Sequence, residues 1–127
     1  KVYLAELLNR HKVPSPKTMI VHAGNVDEIV PTLGLPVVLK LPDSSFSAGV
    51  TKVDEAEAVP ERVRALLAQS ELIVAQAFVP TEFDWRVGII DRRPIYVCRY
   101  YMARRHWQII RRDTDGGIAE GTADTLA

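Results

Sequence analysis

The stretch Leu35-Pro36-Val37-Val38-Leu39-Lys40-Leu41-Pro42-Asp43-Ser44-Ser45-Phe46-Ser47-Ala48-Gly49-Val50-Thr51-Lys52-Val53 reads as two strands joined by a serine-rich loop. Val37, Val38 and Leu39 are an apolar run of the kind a buried strand needs, and Lys40 stands where that strand leaves the sheet. Ser44, Ser45, Ser47 and Gly49 then offer hydroxyls and unhindered backbone N–H groups, which are donors suited to an anion such as phosphate. A flexible ammonium beside such donors suits a phosphate because a point charge is enough there. The same loop also reads as a plain hairpin turn, and a strand-end lysine as a solvated charge.

Working outward, Leu4, Leu7, Leu8 and His11 recur at helical spacing and predict an amphipathic helix over 2–12. Val13-Pro14-Ser15-Pro16 stops it, because proline lacks an N–H and disfavours helix in the residue before it. A short strand is expected over Lys17–His22, followed by a helix capped by Asn25 with Val26, Ile29, Val30 and Leu33 on one face and closed by Gly34. After Val53, Asp54 is expected to cap a helical segment that Pro60 divides into an entry turn and a helix over 60–69. Leu72–Val79 is a buried strand ended by Pro80. Trp85–Asp91 and Pro94–Met102 alternate around Asp91-Arg92-Arg93 as a β-hairpin, and Trp107–Arg112 is a further strand. From Asp113 onward almost no bulky apolar residue remains, so the tail is expected to be disordered or cut from its packing partner. This order is α+β rather than a regular β–α alternation.

The chain has 127 residues, 47% of them hydrophobic and 25% charged, as expected for a globular domain or parts of two. It opens on Lys1 without a methionine and runs at once into the helical pattern, which reads as a piece of a larger protein. A single cysteine, Cys98, excludes a disulfide framework and points to the reducing cytoplasm. No apolar run approaches the ~18 residues of a membrane span, so no membrane contact is expected. Net charge is zero, yet Trp85–Arg112 holds eight arginines and one acid, Asp91, while all five lysines lie at or before Lys52. That asymmetry suggests an anionic partner. Asp84 and Arg86 are two residues apart in a strand, so both face one side; they read either as a sugar-and-phosphate pair or as a surface ion pair. The three histidines lack metal-ligand spacing, and neither G-x-x-x-x-G-K-[ST], G-x-G-x-x-G nor G-x-S-x-G occurs. No metal ligand is assigned.

Taken together, these segments resemble the ATP-grasp superfamily of carboxylate–amine ligases, in particular its RimK-type (ribosomal-protein glutamate ligase) and glutathione synthetase branch. Lys1 with its helix and Val13-Pro14-Ser15-Pro16-Lys17-Thr18 resembles the family's "K…(G)IP-x-P-x-T" opening, and Leu35–Lys40 its "PVVLKP" strand. Ser44–Val53 is similar to its small-residue loop, and Ile73–Pro80 followed by Asp84-Trp85-Arg86-Val87 to "LVQE(Y/F)I…D-x-R-V". The resemblance covers about residues 1–102.

It implies an N-terminal helix and linker over 1–16, a small lid subdomain over 17–79 and the start of the large subdomain over 80–112, with 113–127 as the tail. It implies that Lys1 and Lys40 hold the α- and β-phosphates of ATP and that the loop Ser44, Ser45, Ser47, Gly49 closes over them. Gln76, Ala77 and Val79 would form the adenine hinge, through the Ala77 C=O and the Val79 N–H. Asp84 would bind ribose, and Arg86 would face the γ-phosphate as the catalytic residue, with Arg99 or Arg104 as a further anion partner. The reaction implied is phosphorylation of a carboxylate by ATP, then displacement of phosphate by an amine such as an amino acid, with Mg²⁺ as the metal. Departures are visible. The loop is serine-rich with one glycine, Gln76-Ala77 replaces the hinge glutamate neighbourhood, and no E-x-N follows Arg86 to ligate Mg²⁺. A chain with ATP contacts but an incomplete active site is expected, whose parent is a ligase. Two other readings stand beside it: a non-catalytic nucleotide-binding module, and an arginine-rich nucleic-acid surface built with Trp85, Tyr100, Tyr101 and Trp107. The sequence leaves an oligomer open.

Overall fold

The computed structural model describes residues 1–44, 48–112 and 117–126, and divides into two compact units, Lys1–Val79 and Pro80–Ala127.

The first unit contains α1 (Val2–Arg10), β1 (Thr18–Val21), α2 (Ile29–Leu33), β2 (Val37–Lys40), β3 (Val50–Val53), α3 (Val59–Leu67) and β4 (Ile73–Ala77). Its four strands form one antiparallel sheet in the order β1-β4-β2-β3. Successive side chains leave a strand on opposite sides, and the register turns this into two distinct faces. Val37 and Leu39 of β2, Ile73 and Ala75 of β4, Val21 and Val53 share one face, where they are buried against Ile29 of α2 and Val59, Val63 and Leu66 of α3. Val59, Val63 and Leu66 fall at i, i+4, i+7, the stripe a helix needs to cover a sheet. Pro60 sits in the first turn of α3, where its missing N–H has no intrahelical partner to lose.

Two expected caps are replaced by other bonds. The Asn25 side chain makes no cap bond; its Oδ1 accepts from the His22 N–H at 2.9 Å and its Nδ2 donates to the Ile20 carbonyl at 3.1 Å. Short polar side chains often choose such local backbone partners over a helix end. The segment after it is a 3-10 turn, Val26–Glu28, that runs into α2. Asp54 likewise caps nothing and pairs with Lys52 at 2.8 Å, the turn Ala56–Ala58 starting from Glu55. Helix α1 forms as the periodicity predicts, but none of its residues is buried.

The second unit contains β5 (Phe83–Ile90), β6 (Arg93–Tyr101), β7 (Ile110–Arg112), β8 (Ile118–Glu120) and β9 (Ala123–Leu126). β5, β6 and β9 form an antiparallel sheet, and β7 and β8 a two-stranded ribbon. Asp91 and Arg92 both have positive φ (47° and 61°), so the β5–β6 turn is a two-residue reversal of the primed kind that matches strand twist. Gly88 faces Tyr96 across this hairpin; a Cβ there would lie 2.1 Å from the Tyr96 ring, so the aromatic fills the space a side chain would need. Of the two alternatives for the tail, disorder does not hold over Ile118–Glu120 and Ala123–Leu126, which are strands. Strand pairing needs only backbone donors and acceptors, and β6 and β7 supply them to a segment poor in apolar side chains. The further strand is shorter than expected, beginning at Ile110 rather than Trp107. Among the described residues no helix is long and apolar enough to cross a membrane.

Leu39 is fully buried on a strand flanked on both sides. Leu39→Ala is expected to lower unfolding free energy by about 2–5 kcal/mol, measured by denaturant titration. An unchanged midpoint would show that β2 does not anchor this core.

Candidate anion-binding site

The face of the first sheet opposite its core carries the candidate chemistry. Register places Thr18, Gln76 and Val38 in one row and Ile20, Val74 and Lys40 in the next. Lys40 and Gln76 are thus diagonal neighbours on adjacent strands, within reach of each other's long side chains. The Lys40 Nζ donates to Gln76 Oε1 at 2.6 Å, Gln76 Nε2 donates to Thr18 Oγ1 at 2.9 Å, and the Thr18 hydroxyl donates to the Pro16 carbonyl at 2.8 Å. Leu4, Ala5 and Leu8 of α1 close a cleft of 120 Å³ over this row, with Lys1, Ser15 and Val74 completing its walls. That volume suits a side-chain head group or a phosphate rather than a whole nucleotide.

Lys1 reaches from the start of α1 to the loop after β2. Its ammonium donates to the carbonyls of Leu41 (2.9 Å) and Pro42 (3.3 Å), to Ser44 Oγ (2.9 Å) and to the Ser44 carbonyl. An ammonium has three donors, so four surrounding oxygens occupy it fully, and Lys1 here holds the loop entry. Ser44 is equally committed, its hydroxyl donating to the Leu41 carbonyl at 3.0 Å. Ser45 and Ser47 lie outside the described residues. Gly49 closes the loop with φ +63°, its carbonyl accepting from the Leu41 N–H at 2.8 Å; a Cβ there would meet Leu41 at 2.8 Å, so glycine is required on two counts. Lys40 differs from Lys1: among the described residues its ammonium donates to Gln76 alone.

Among the described residues no carboxylate lines the cleft, and the partners of both lysines are neutral oxygens. Burial pushes the Lys40 ammonium below its ordinary 10.5, and the Lys1 charge pushes it the same way. Two cations thus stand at one cleft with neutral hydrogen-bond partners among the described residues. At the end of β4 the Ala77 N–H donates to the Lys17 carbonyl at 2.8 Å, and Val79 is about half exposed, 53%.

The remaining candidates lie in the second unit. Asp84 and Arg86 share one face of β5 but make no ion pair with each other among the described residues. Asp84 accepts from the Thr81 hydroxyl at 3.3 Å, while the Arg86 guanidinium stacks 4.3 Å from the centre of the Tyr100 ring. On the other face Arg99 stands among Phe83, Trp85 and Tyr101, with ring centres 5.5, 6.0 and 5.8 Å away. Its buried Nε has no hydrogen-bond partner among the described residues. A hydrogen bond with the Asp124 carboxylate pushes the Tyr101 phenol above its ordinary 10.0. Arg111 donates to the Arg104 carbonyl at 3.3 Å. Several of the clustered arginines are therefore engaged by aromatic rings and backbone, which thins the free basic surface that the composition alone suggests. Reading the sequence for roles missed Thr18; its signal was a β-branched hydroxyl two residues after Pro16, in a strand that had to pair with the one carrying Gln76.

No family model matches the chain. It is 24% identical over 119 residues to D-alanine–D-alanine ligases of Acinetobacter baumannii and Acinetobacter baylyi, a match covering 87% of this chain and 38% of theirs. The structure of D-alanine–D-alanine ligase from Bacillus anthracis superposes with a TM-score of 0.72 at 16% identity, over 97% of this chain and 40% of that one. VanG D-Ala:D-Ser ligase from Enterococcus faecalis superposes with a TM-score of 0.64 at 16% identity, over 94% and 35%. The chain has the ATP-grasp ligase fold. The relatives that match are D-alanine–D-alanine ligases, and the chain spans 38% of their length; the glutamate-ligase branch does not appear among these relatives.

Lys40 also gives a pH dependence. Because its folded-state pKa lies below the ordinary 10.5 of the unfolded chain, the unfolded state binds more protons between the two values, so stability rises with pH there. The penalty of burying the charge is full below the folded pKa and gone above 10.5. Relative to Lys40→Met, the wild type is expected to gain stability between neutral pH and a pH near 10.5. Parallel urea titrations check this, and a pH-independent difference would contradict it.

Proposed function

We propose that this chain is the ATP-binding part of an ATP-dependent carboxylate–amine ligase. The observation that carries the reading is the pair of ammonium groups, Lys1 and Lys40, at one cleft that no carboxylate lines among the described residues. In this reading Lys40 binds a phosphate through its free donors. Lys1 joins it by exchanging one loop oxygen for a phosphate oxygen. The loop from Ser44 through Ser45 and Ser47 to Gly49 covers the phosphates and excludes water. Gln76, Ala77 and Val79 form the adenine edge, Asp84 takes the ribose hydroxyls, and Arg86 meets the γ-phosphate and the acyl phosphate.

Positive charge at fixed positions is what phosphoryl transfer asks of a protein. A dry cleft then preserves the acyl phosphate until an amine attacks it, forming the amide and releasing phosphate. Among the described residues no group of three acidic, histidine or cysteine side chains is gathered. The Mg²⁺ ligands are proposed to lie outside this chain because no E-x-N follows Arg86 in its sequence, and the metal would neutralise phosphate charge. The division into a 17–79 lid and an 80–112 start of the large subdomain belongs to the same proposal, as does a cytoplasmic location, which the lone Cys98 supports.

For the substrates, the names of the relatives favour a D-amino acid as both carboxylate and amine. The RimK-type branch, with glutamate as the amine, rests on the motif resemblance and takes second place. The arginine-rich nucleic-acid reading is weaker, because Arg86 and Arg99 are stacked on the aromatic rings it would need.

The test is Mg-ATP binding and hydrolysis by the intact protein, screened with D-alanine, D-serine, glutamate and acidic peptides. A contact between charged groups contributes about 1.5–3 kcal/mol, so Lys40→Ala and Arg86→Ala should each lower kcat/KM on the order of 10–100-fold while leaving the circular-dichroism spectrum unchanged. Wild-type turnover in the Lys40 variant would overturn the assignment.

A further inference from the structure

The chain of hydrogen bonds behind Lys40 has a fixed direction. The Thr18 hydroxyl has one proton, and the Pro16 carbonyl takes it. Its oxygen can then only accept, which turns the NH₂ end of the Gln76 amide toward Thr18 and the oxygen end toward Lys40. If the amide turned over, an NH₂ group would face an ammonium, donor against donor. A backbone carbonyl at the Pro16 turn thus dictates, through two side chains, which atom the lysine meets.

The acceptor chosen is neutral. A glutamate at position 76 would be nearly the same size and would hold the ammonium in the same place, but it would cancel its charge. Among the described residues, Lys1 and Lys40 are the only titratable groups lining the cleft. Asp43, in the loop that follows β2, is exposed and is not among the residues that line the cleft.

We infer that Gln76 and Thr18 are positioning residues for Lys40: they hold its ammonium in one place through a neutral acceptor, so that its full charge stays available to an anion. This rests on the proposed phosphate-binding role of Lys40 for its functional meaning, but the positioning itself is readable without nucleotide. It assigns Gln76 a part distinct from the adenine edge and gives Thr18 a part where the sequence suggested none.

The experiment follows the Lys40 Nζ and Cε resonances of the intact protein by NMR through a pH titration, with Lys40→Arg to assign them. Affinity for tripolyphosphate and for Mg-ATP is measured on the same samples. Gln76→Glu should raise the Lys40 pKa by at least about one unit, as expected for a carboxylate in direct contact, and weaken tripolyphosphate binding roughly tenfold, the equivalent of about 1.4 kcal/mol. Thr18→Val should broaden or shift the Lys40 signals and weaken the same binding, and Thr18→Ser, which keeps the hydroxyl, should restore both. A merely structural Thr18 would instead be rescued by valine, which keeps the shape. If Gln76→Glu and Thr18→Val leave the Lys40 titration and tripolyphosphate affinity unchanged, the inference is overturned, even where wild-type protein binds Mg-ATP. If the variants shift Lys40 and tripolyphosphate binding as stated but Mg-ATP does not bind the wild type, the positioning stands and the nucleotide reading falls.

Discussion

Along β2 and β4 successive side chains leave the sheet on opposite sides, and the rest of the first unit depends on that alternation. Val37 and Leu39 turn one way with Ile73 and Ala75, into the core under α2 and α3. Val38, Lys40, Val74 and Gln76 turn the other way, toward the cleft under α1. A register slip of one residue would exchange the two sets, burying an ammonium among valines and exposing the core. The position of Lys40 is therefore enforced by the burial of its neighbours. The same antiparallel pairing that holds the core together brings Lys40 and Gln76 into contact from 36 residues apart in sequence.

The two lysines illustrate how one charge type performs two tasks. Lys1 is surrounded by oxygens of the loop entry and ties the helix to that loop. Lys40 is held, among the described residues, through a single neutral acceptor. Their mutual repulsion and the partial burial of Lys40 are both unfavourable, and in the proposed function a bound anion would offset both. Sites of this kind accept destabilisation in the empty protein in exchange for affinity.

Much of the fold was legible because its strands are short, apolar and punctuated. The Val37–Leu39 run, the Pro14 and Pro16 stop, the entry proline of α3 and the turn at Asp91-Arg92 each have a local cause that sequence exposes. What stayed hidden depends on partners far along the chain. The bonds of Asn25 and Asp54 were decided by strand ends rather than by the helices they precede. The strands Ile118–Glu120 and Ala123–Leu126 form through backbone pairing, which leaves no mark in side-chain hydropathy. At the site, the lysine and the glutamine could each be named, but their contact with each other and with Thr18 needed the register of three strands.

Helix α1 carries a further consequence. It buries none of its residues, and its amphipathic face lies over the cleft with Leu4 largely exposed. Segments with so few apolar contacts open at free energies well below that of global unfolding, so amide exchange in α1 is set by local fraying while exchange in β2 and β4 is set by the core. Lys1 and Lys40 thus belong to parts of the molecule with very different opening free energies. An anion bridging them, as the proposed function has it, would couple those two parts: its binding free energy would be added to the closing of the helix. The affinity of the cleft and the order of its first helix are in that sense one quantity, measured either as a dissociation constant or as an exchange rate.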